Sequence, residues 1–481
     1  MKEFNIIVAI SKKNNGIGLK NKLPWNLKKD LLNFKRLTTN SETNEEYNHN
    51  KGIVIMGRNT WESLPDSVKP LPDRVNIIIS NTIKSLDNYI HTSVQKSLDD
   101  ALIFCNKYYK NLNIWVIGGE RLYKEAIKHE YCANLYVTEI YENYDCDTYF
   151  PDINENFIKT NVSRFHQENN NYFRYITYSN NEYFGCIQQW KNTEEELYLD
   201  TLKNIMNNGS ERIERTGIGT KSLFGLQFKY DLTDTFPILT TRRIFMRGIF
   251  EELMLYLRGQ TDNNILVEKG INIWTGNTTR EFLDSRGLTQ YPIGDMGETY
   301  GFNFRKFGGE YQNCNQNQGG FDQLQYVINL IKNDPTSRRI IINLWNPKTL
   351  HKAALPSCLC QYQFWVDIQN KKLNLQIYIR SSDYFLANNW NTCTGALFVH
   401  LLCNLEGIDL TPGELTVVSG DTHIYLNHFE CVKENLENTP RPFPKLIVKK
   451  KCKNIEEFEY TDLKLIGYYP SKTLLKPEMA V

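Results

Sequence analysis

The chain has 481 residues, too many for one ordinary hydrophobic core, and its 41% hydrophobic and 23% charged residues predict a globular protein of two or three domains. Lysine and arginine number 56 against 55 aspartates and glutamates, which argues against a protein that captures nucleic acid or a membrane, and no apolar run reaches membrane length. Eleven cysteines without a C-x-x-C pair argue against a disulfide framework and a metal site, and they predict a cytoplasmic protein.

Apolar segments alternate with helical patterns over residues 1–180. We predict strands at 4–10, 52–57, 75–79, 113–117 and 134–141, and helices at about 27–36, 97–106 and 120–127. This alternation is typical of an α/β domain with a mostly parallel twisted sheet flanked by helices. Residues 157–164 and 172–179 predict a closing hairpin.

Two glycine pairs in this half are candidates for ligand-binding turns. The G-I-G at 16–18 lacks the third glycine of a dinucleotide-binding turn, since Asn21 stands there, and Pro24 prevents a helix from opening, so a mobile loop is predicted. The G-G at 118–119 ends a predicted strand and opens a predicted helix, where adjacent glycines allow backbone N–H groups to approach a phosphate. A simple strand-to-helix turn explains this second pair nearly as well.

Asp30 is the carboxylate of most interest in this half. In the predicted helix it shares a face with Leu27, Phe34 and Leu37. An acid on an apolar face must find a partner or shift its pKa upward. The alternative is a solvated aspartate at the edge of the helix.

These features together resemble dihydrofolate reductase over residues 1–179. The matching motifs are I-V-A-I at 7–10, G-I-G-L-K-N-K-L-P-W at 16–25, I-M-G-R-N-T-W at 55–61, P-L-P-D-R at 70–74, W-V-I-G-G at 115–119, V-T at 137–138 and D-T-Y-F-P at 147–151. By this resemblance Asp30 would hold the pterin ring and support its protonation, with Thr138 behind it. The implied folate site consists of Ile7, Val8, Asp30, Phe34, Leu71, Arg74, Ile117 and Thr138.

The resemblance also implies NADPH as the cofactor of this domain. The implied cofactor site consists of Ala9, Ile17, Gly18, Gly57, Arg58, Thr60, Ser80, Gly118, Gly119 and Tyr123. Asn81 stands where the family usually has an arginine that contacts the 2′-phosphate. Preference for NADPH over NADH would therefore rest more heavily on Arg58.

Residues 180–192 form a short junction without a low-complexity spacer, and a second domain is predicted over residues 193–481. Its first helix is predicted over 193–205. Thr193 and Glu196 have the spacing of a capping box, so we expect them to start this helix.

Cys358 is the candidate nucleophile of the second domain. The apolar runs 360–366 and 373–379 predict neighbouring buried strands joined by a polar turn at 367–372, and this pairing would bring Arg380 towards Cys358. A cation near a thiol lowers its pKa and raises the fraction of thiolate, which is the form that attacks carbon. The alternative is an inert core cysteine.

Four arginines of this domain could together surround one dianion, because guanidinium groups bind phosphate in a fork. They are Arg215, Arg338, Arg339 and Arg380. Surface salt bridges are the alternative for each of them.

Residues 193–481 resemble thymidylate synthase, an α+β domain, so the whole chain resembles the fused reductase–synthase of protists and plants. The matching strings are E-R-T-G-I-G-T-K-S-L-F-G at 214–225, F-P-I-L-T-T-R-R at 236–243, E-E-L-M-L-Y-L-R-G at 251–259, S-R-R-I-I-I-N-L-W-N-P at 337–347, G-D-T-H-I-Y-L-N-H at 420–428 and the terminal M-A-V. The resemblance implies methylation of deoxyuridylate (dUMP) with 5,10-methylenetetrahydrofolate. It also implies a homodimer, in which the arginine pair 338–339 reaches across the interface.

Site residues follow from this resemblance in the same way. Cys358 would add to C6 of dUMP, and Glu252, Asn277 and Tyr300 would supply a network that moves protons. The implied dUMP site consists of Arg215, Arg338, Arg339, Arg380, Ser381, Asp383, Asn391, His423 and Tyr425. Within it Asp383 would orient the folate ring.

Departures from the synthase pattern cluster near the thiol and leave a second hypothesis open. They are Glu298, Ser357, Leu359, Ile379, Ala387 and Asn389, of which Glu298, Ser357 and Asn389 stand where the family has proline. The second hypothesis is an active reductase carried on a weakened or inactive nucleotide-binding dimer platform.

Overall fold

The computed structural model describes residues 2–39, 52–185, 187–213, 217–472 and 475. The chain divides into two compact units, Met1–Trp190 and Lys191–Val481, and the division falls within the predicted junction. Among the described residues, no helix is both long enough and apolar enough to cross a membrane.

The first unit is built on one large sheet. Its strands are β1 (Phe4–Ser11), β2 (Gly16–Gly18), β3 (Gly52–Gly57), β4 (Arg74–Ile79), β5 (Thr92–Gln95), β6 (Ile114–Gly118), β7 (Cys132–Ile140), β8 (Thr148–Tyr149), β9 (Phe157–Val162), β10 (His166–Glu168) and β11 (Asn171–Asn180). Its helices are α1 (Lys28–Thr38), α2 (Arg58–Ser63), α3 (Leu98–Tyr108), α4 (Glu120–Ala126) and α5 (Asn181–Phe184).

The strands of this sheet follow the order β10-β11-β7-β1-β6-β3-β4-β5, and the run from β7 to β5 is parallel. The predicted α/β domain with a mostly parallel sheet is therefore confirmed. The predicted closing hairpin is present as well, since β9 and β11 pair antiparallel and the connection between them adds β10. The sequence patterns missed α2 and the short strand β5.

Alternation along each strand divides the core of this unit between the two faces of the sheet. Ile6 and Val8 of β1 pack in a cluster with Leu102 of α3, whereas Ile7 packs in a second cluster with Phe34 of α1. Helices therefore cover both faces. The face occupied by Ile7 is the one on which α1 lies.

The mobile loop predicted at residues 16–18 is wrong, because these residues form the short strand β2. This strand pairs antiparallel with β1 and with β8. A Cβ atom on Gly16 would clash with the Cys146 side chain. Close approach of a neighbouring segment therefore requires glycine at this position.

The second unit combines helices with one mixed sheet, so the predicted α+β class is confirmed. Its strands are β12 (Ser210–Arg212), β13 (Thr220–Asp231), β14 (Glu310–Asn313), β15 (Gln316–Gln318), β16 (Ile341–Asn343), β17 (Leu359–Asp367), β18 (Lys372–Asp383), β19 (Thr411–Tyr425), β20 (Lys445–Val448) and β21 (Leu463–Ile466). Its helices are α6 (Thr193–Asn208), α7 (Met246–Leu257), α8 (Asn264–Glu268), α9 (Arg280–Ser285), α10 (Tyr300–Arg305), α11 (Gln323–Asn333), α12 (Asn388–Cys403) and α13 (Phe429–Leu436).

The main sheet of this unit has the order β12-β13-β19-β18-β17-β16, with β18 and β19 parallel and the other pairs antiparallel. Helix α12 packs against β18, β19 and α7. Most residues of α7 and α12 are buried, as expected for helices that are apolar on nearly all sides. Polar side chains on these two helices therefore lie in the interior.

The predicted capping box at the start of α6 is wrong by one residue. The helix begins with Asn192 as its N-cap, and the Asn192 side chain accepts a hydrogen bond from the Glu195 N–H at 3.3 Å. Asparagine is among the best N-cap residues because its carbonyl reaches a free N–H group of the first turn. Glu195 is then free to accept bonds from the backbone N–H groups of Thr240 (2.7 Å) and Thr241 (2.8 Å).

Candidate active sites

Asp30 lies in the first turn of α1 and pairs with Thr138 of β7. The Thr138 hydroxyl donates a hydrogen bond to Oδ1 of Asp30 at 2.7 Å. Burial raises the pKa of the Asp30 carboxyl, the Thr138 bond opposes this rise, and the charge of Glu168 adds to it. Asp30 can therefore hold a proton at a higher pH than an ordinary aspartate.

Glu168 of β10 caps the helix that carries Asp30, and sequence reasoning missed it. Its two carboxylate oxygens accept hydrogen bonds from the backbone N–H groups of Lys28 and Lys29, each at 2.8 Å. The N-cap residue Leu27 has no side chain that can accept a hydrogen bond from the first turn of α1. Glu168, on strand β10, supplies acceptors for these free N–H groups instead. Its only sequence signal is an acid in a predicted hairpin connection.

We expect Glu168→Gln to shift the pH profile of the reductase. Removing this negative charge removes one cause of the raised pKa of Asp30, so the protonated fraction of Asp30 falls at a given pH. The decline of the reduction rate with rising pH should therefore begin at a lower pH. Steady-state rates across the pH range measure this shift, with Glu155→Gln on the exposed surface as the matched control. An unchanged profile, or a shift to higher pH, would contradict the role assigned to Glu168.

The apolar part of the implied folate site is assembled on the α1 face of the sheet. Ile7 and Leu71 are buried in one cluster, against which Phe34 and Ile117 pack. Val8 does not join them, because strand alternation turns its side chain into the cluster on the opposite face. Only the backbone of Val8 can contribute to a site on the Ile7 face.

Arg74 borders the same apolar surface at the start of β4. Its guanidinium carbon lies 5.5 Å from the centre of the Phe34 ring, and its nitrogens donate to the Thr38 hydroxyl at 2.8 Å and the Pro72 carbonyl at 2.9 Å. Burial lowers the pKa of Arg74 to about 10, which leaves it cationic at neutral pH. A rigidly held cation beside an aromatic ring suits a carboxylate at the end of a planar ligand.

Two strand ends meet where the NADPH phosphates are expected. Register places Met56 of β3 beside Gly118 of β6, so the G-G at 118–119 and the start of α2 are neighbours. A Cβ on either glycine would lie 3.1 Å from the Thr60 hydroxyl, and Gly118 has a φ of +139°. A side chain at 118 or 119 would therefore crowd the Thr60 hydroxyl, and glycine keeps this turn open for close approach of a dinucleotide phosphate.

Three other predicted cofactor residues differ in whether their polar groups are accessible to a ligand. Arg58 is half exposed, with Nε on Glu62 at 2.6 Å and Nη1 on the Thr82 hydroxyl at 2.9 Å. The Ser80 hydroxyl accepts from the backbone N–H groups of Thr82 and Ile83, each at 3.1 Å. Tyr123 is fully buried, and its hydroxyl donates to the Ile7 carbonyl at 2.8 Å. Tyr123 therefore supports the turn at 118–119 from behind and does not present its hydroxyl to a ligand.

The remaining predicted cofactor residues lie in strands β1 and β2 and at the start of α2. Gly57 is the N-cap of α2, and Ala9 pairs with Thr138 across β1 and β7. Gly18 lies in β2, and Ile17 packs against the large cluster under the sheet.

Gly118→Ala should weaken NADPH binding more than Gly119→Ala. Both substitutions place a Cβ against the Thr60 hydroxyl, but only position 118 has a left-handed φ, which costs a non-glycine residue about 1–3 kcal/mol. We expect a larger rise in KM for NADPH and a larger loss of reductase rate for Gly118→Ala. Titration with NADPH monitored by fluorescence measures the difference. Equal effects of the two substitutions would contradict the strain argument.

Cys358 lies just before β17 and is held from two sides. Its N–H donates to the Tyr300 hydroxyl at 2.8 Å, and its carbonyl accepts from the Arg380 N–H at 2.9 Å. The Arg380 guanidinium lies 3.9 Å from Sγ of Cys358 and also donates to the carbonyls of Ser357 and Pro356. The predicted pairing of β17 with β18, and the approach of Arg380 to the thiol, are therefore confirmed.

The expectation of a lowered thiol pKa is wrong. Burial raises the pKa of Cys358, and Arg380 lowers it by a smaller amount. One cation at 3.9 Å does not offset the loss of water around a thiolate. The thiol of the free protein is therefore protonated at neutral pH.

Glu252 of α7 lies at the centre of a buried hydrogen-bond network. Its Oε1 accepts from the Tyr256 hydroxyl and the Trp274 indole, both at 2.8 Å, and its Oε2 accepts from the Trp390 indole at 2.7 Å. Burial raises the pKa of Glu252, and the three donors oppose this rise. The sequence reasoning missed these three donors, although Tyr256 lies one helical turn beyond Glu252 on the same face.

Of the other predicted proton-transfer residues, Tyr300 is linked to this network through Tyr256. The ring of Tyr300 stacks on that of Tyr256 with 4.7 Å between their centres, and the Tyr300 hydroxyl contacts the backbone of Cys358. Asn277 is buried in the short turn that follows Trp274. Side chains therefore connect the buried acid to the segment that carries the thiol.

Strands β18 and β19 bring the predicted nucleotide and folate residues side by side. Register pairs Ser381 with Asp421 and Asp383 with His423, whose Nδ1 lies 3.0 Å from Asp421. Burial raises the pKa of Asp383, and the nearby His428, with Nδ1 at 3.9 Å, opposes the rise.

Tyr425 and Asn391 complete this group of predicted residues. The Tyr425 ring lies edge-on to that of His423 at 5.3 Å between centres. Asn391 is half-buried in the first turn of α12, which begins five residues after Asp383. Tyr425 ends β19 and Asn391 follows β18, and these are the two central strands of the main sheet.

Of the four predicted phosphate arginines, the three within the described residues do not converge within one chain. Arg338 and Arg339 are exposed and precede β16, where Ile341 aligns with Gln363 and, through it, with Gln376 of β18. Arg380 lies four residues further along β18, a separation of about 13 Å along the strand at 3.3 Å per residue. Arg215 lies outside the described residues.

The residues that depart from the synthase pattern have internal partners. Leu359 and Ile379 are buried in the main core, and Asn389 donates to the Pro237 carbonyl at 2.8 Å. The Ser357 hydroxyl lies 3.2 Å from that of Thr299, and Ala387 is the N-cap of α12.

An acid paired with Thr138 in one unit, and a thiol close to Arg380 in the other, give the chain two separate candidate sites. The family model described as dihydrofolate reductase matches residues 3–180, and the model described as thymidylate synthase matches residues 196–481. Bifunctional dihydrofolate reductase-thymidylate synthases resemble the chain along nearly its whole length. The protein of Paramecium tetraurelia is 39% identical, over 97% of this chain and 96% of that protein.

Two further relatives of this name show the same similarity. One protein of Arabidopsis thaliana is 38% identical over 98% of this chain and 87% of its own length, and that of Plasmodium berghei is 37% identical over 97% and 89%. The chain belongs to the family of bifunctional dihydrofolate reductase–thymidylate synthases. It reduces dihydrofolate with NADPH and makes thymidylate from dUMP with 5,10-methylenetetrahydrofolate. The inactive-platform alternative receives no support from these relatives.

Proposed function

We propose that residues 1–179 reduce dihydrofolate around Asp30, and that residues 193–481 methylate dUMP through Cys358, with residues 180–192 as the junction. The observation that supports this assignment most strongly is the pair of contacts that position Cys358. Its N–H donates to Tyr300 at 2.8 Å, and its Sγ lies 3.9 Å from the Arg380 guanidinium. Assay of both activities on one preparation, with one variant for each centre, tests the assignment.

In the reductase domain, Asp30 is the proposed source of the proton that the pterin ring takes up. Its raised pKa keeps the carboxyl protonated further towards neutral pH, and Thr138 orients it by a 2.7 Å hydrogen bond. NADPH supplies the hydride when bound. The chain's own contribution is to place the ring between Ile7, Phe34 and Ile117 and to hold its glutamate carboxylate with Arg74.

The proposed cofactor contacts come from the strand ends and from Arg58. Backbone N–H groups at 118–119 and the Thr60 hydroxyl can approach phosphate, because the glycines leave room for it. Arg58 supplies the positive charge on this side. Ala9, Ile17, Gly18, Gly57 and Ser80 are proposed as backbone or side-chain contacts along the rest of the cofactor.

In the synthase domain, Cys358 is proposed to attack C6 of dUMP as its thiolate. Burial raises the pKa of the thiol and so favours its protonated form, whereas Arg380 stabilises the thiolate that attacks. The implied dUMP contacts are Arg215, Arg380, Ser381, Asn391, His423 and Tyr425, with Asp383 for the folate ring. Glu252, Asn277 and Tyr300 are proposed to move protons through the network around Tyr256.

We also propose a homodimer formed through the outer face of β17 and β18. Tyr362 and Phe364 of β17 point into the core, whereas Trp365, which is 60% exposed, points outward. Tyr378 on the neighbouring strand is 39% exposed on the same outer face. Two large aromatic side chains on one exposed sheet face are typical of a protein–protein interface.

This arrangement gives a role to the arginine pair at 338–339, which lies too far from Arg380 within one chain. Across the proposed interface it would reach the phosphate of dUMP in the partner subunit. The ten cysteines within the described ranges are free thiols, which supports our proposal that the protein works in the reducing cytoplasm.

Trp365→Glu should dissociate the dimer. A glutamate buried in the proposed interface would raise the dissociation constant on the order of tenfold or more. Synthase activity should fall with it, since the arginine pair 338–339 is lost from the partner site, while dihydrofolate reduction stays near its wild-type rate. Light scattering on a size-exclusion column reports the state of association. Ile368→Glu, in the exposed turn after β17, is the matched control, and a monomeric wild-type chain would overturn the proposal.

A further inference from the structure

Glu298 is a buried carboxylate that the synthase reaction, as described, does not use. Its side chain is completely buried, and among the described residues neither carboxylate oxygen accepts a hydrogen bond. Within the described part of the chain its single ion pair is with Lys352, whose Nζ lies 3.7 Å from Oε2. A buried charge is costly unless a counter-charge is close, so Glu298 depends on Lys352.

The two members of this pair lie on segments whose backbones are in contact. The Glu298 N–H donates to the Lys352 carbonyl at 3.1 Å, and the Ala354 N–H donates to the Met296 carbonyl at 3.0 Å. A Cβ on Gly297 would overlap the Lys352 carbonyl oxygen, so no side chain fits between the segments. Residues 296–300 and 352–358 are therefore fastened together, and we call residues 352–358 the nucleophile strap.

The free ends of these segments form part of the synthase centre. Thr299 lies 3.2 Å from Ser357 between hydroxyl oxygens, and the Tyr300 hydroxyl accepts the Cys358 N–H at 2.8 Å. The Glu298–Lys352 pair lies at the opposite end of the strap from the thiol. Lys352 is therefore connected to Cys358 through the backbone of the strap and through these two contacts.

We propose that Glu298 and Lys352 form a charge clamp that positions the nucleophile strap, and that both are positioning residues of the synthase centre. The clamp rests on the proposed role of Cys358 as the nucleophile. The ion pair holds the strap against residues 296–300, so that Cys358 keeps its hydrogen bond to Tyr300. A misplacement of the nucleophile by about 1 Å can cost on the order of a hundredfold in rate.

Four variants and one control test the clamp by synthase kinetics, with the reductase rate of the same chain as a measure of folding. Lys352→Met leaves Glu298 buried without its cation, and we expect kcat for thymidylate to fall on the order of tenfold or more, with KM for dUMP within about twofold. Lys352→Arg keeps the charge and should keep kcat. Lys348→Met, an exposed lysine close in sequence, should behave as wild type.

Glu298→Gln removes both the charge and the attraction, so a smaller loss of kcat is expected. In the Glu298→Gln background, Lys352→Met should cost little more, because no charge is left unpaired. If Lys352→Met alone fails to fold, the other three variants still test the clamp. The kcat values of the wild type and of Lys352→Arg should then exceed that of Glu298→Gln, and the kcat of Glu298→Gln should equal that of the double variant.

Two results would overturn the clamp. One is a kcat for Glu298→Gln equal to wild type, and the other is an equal loss from Lys352→Met in both backgrounds. Failure of the nucleophile assignment is distinguishable, because it would appear as thymidylate formation by a Cys358→Ala chain whatever the state of residues 298 and 352.

Discussion

Replacing Cys358 with alanine should abolish thymidylate formation and leave dihydrofolate reduction at the wild-type rate. The thiol is the only group at this position that can form a bond to C6 of dUMP, and loss of an enzymatic nucleophile costs roughly 10⁴-fold or more in rate. The Asp30 centre belongs to the other compact unit, so its chemistry does not depend on the thiol. Radiolabelled dUMP measures the first activity, and oxidation of NADPH measures the second.

Alkylation of Cys358 gives an independent reading of the same group. Thiolate is the reactive form, and because burial raises the pKa of Cys358, labelling by iodoacetamide should be slow at neutral pH and accelerate as the pH rises. Bound dUMP should protect the thiol by occupying the site. Cys360→Ala is the matched control, since Cys360 is a buried neighbour whose thiol donates hydrogen bonds to the backbone carbonyls of Ser357 and Cys358. Labelling of Cys358 that dUMP does not suppress would contradict its assignment.

Asp30→Asn should lower the rate of dihydrofolate reduction on the order of 10²–10⁴-fold, the usual contribution of a positioned general acid. The amide keeps the shape of the carboxyl and can still accept the Thr138 hydrogen bond at Oδ1. In the wild type the rate should fall as the pH rises through the raised pKa of Asp30, because the protonated form is lost. The variant should lack this dependence. A near-normal rate across neutral pH would remove Asp30 from the mechanism.

The same substitution has a defined effect on stability. The pKa of Asp30 is raised in the folded state, so the folded state binds more protons than the unfolded state between the two pKa values. The contribution of Asp30 to stability therefore decreases as the pH rises from the unfolded pKa through the folded one. At neutral pH the asparagine avoids this cost, and thermal unfolding should occur at a temperature no lower than that of the wild type. Thr138→Val, which removes the hydroxyl donor, is a useful comparison.

Strand and helix periodicity predicted much of the first unit because its sheet is buried on both faces. The continuous apolar runs at 4–10 and 52–57 correspond to β1 and β3. Strands of a parallel sheet are buried on both faces, so their sequences are apolar throughout rather than alternating. The error at residues 16–18 has a tertiary cause. Glycine is required at position 16 because the Cys146 side chain packs against it. Cys146 is distant in sequence, so the residues around Gly16 do not reveal this contact.

The sequence predicted which residues meet at Cys358 better than it predicted the pKa of the thiol. Strand pairing brought Arg380 to Cys358, but the pKa of the thiol depends on how much water the surrounding core removes, which no local pattern contains. The capping role of Glu168 and the three donors to Glu252 were missed for a related reason. Except for Tyr256 they come from distant segments, and their contact with the site is a property of the folded chain.

The arginines illustrate a limit of another kind. Their number and type suggested one phosphate site, but strand register separates the pair at 338–339 from Arg380 within a chain. The phosphate site that we propose draws on two copies of the chain, and residue types alone do not reveal such an arrangement. The exposed aromatic residues Trp365 and Tyr378 support the homodimer that we propose.

Product analysis of a single preparation supplied with dUMP, methylenetetrahydrofolate and NADPH tests the two-centre assignment most directly. We expect the wild type to form thymidylate and tetrahydrofolate, and Asp30→Asn to form thymidylate while dihydrofolate accumulates. Cys358→Ala should form no thymidylate, yet it should still reduce added dihydrofolate. Thymidylate formation by Cys358→Ala, or normal turnover of dihydrofolate by Asp30→Asn, would contradict the assignment of the two centres.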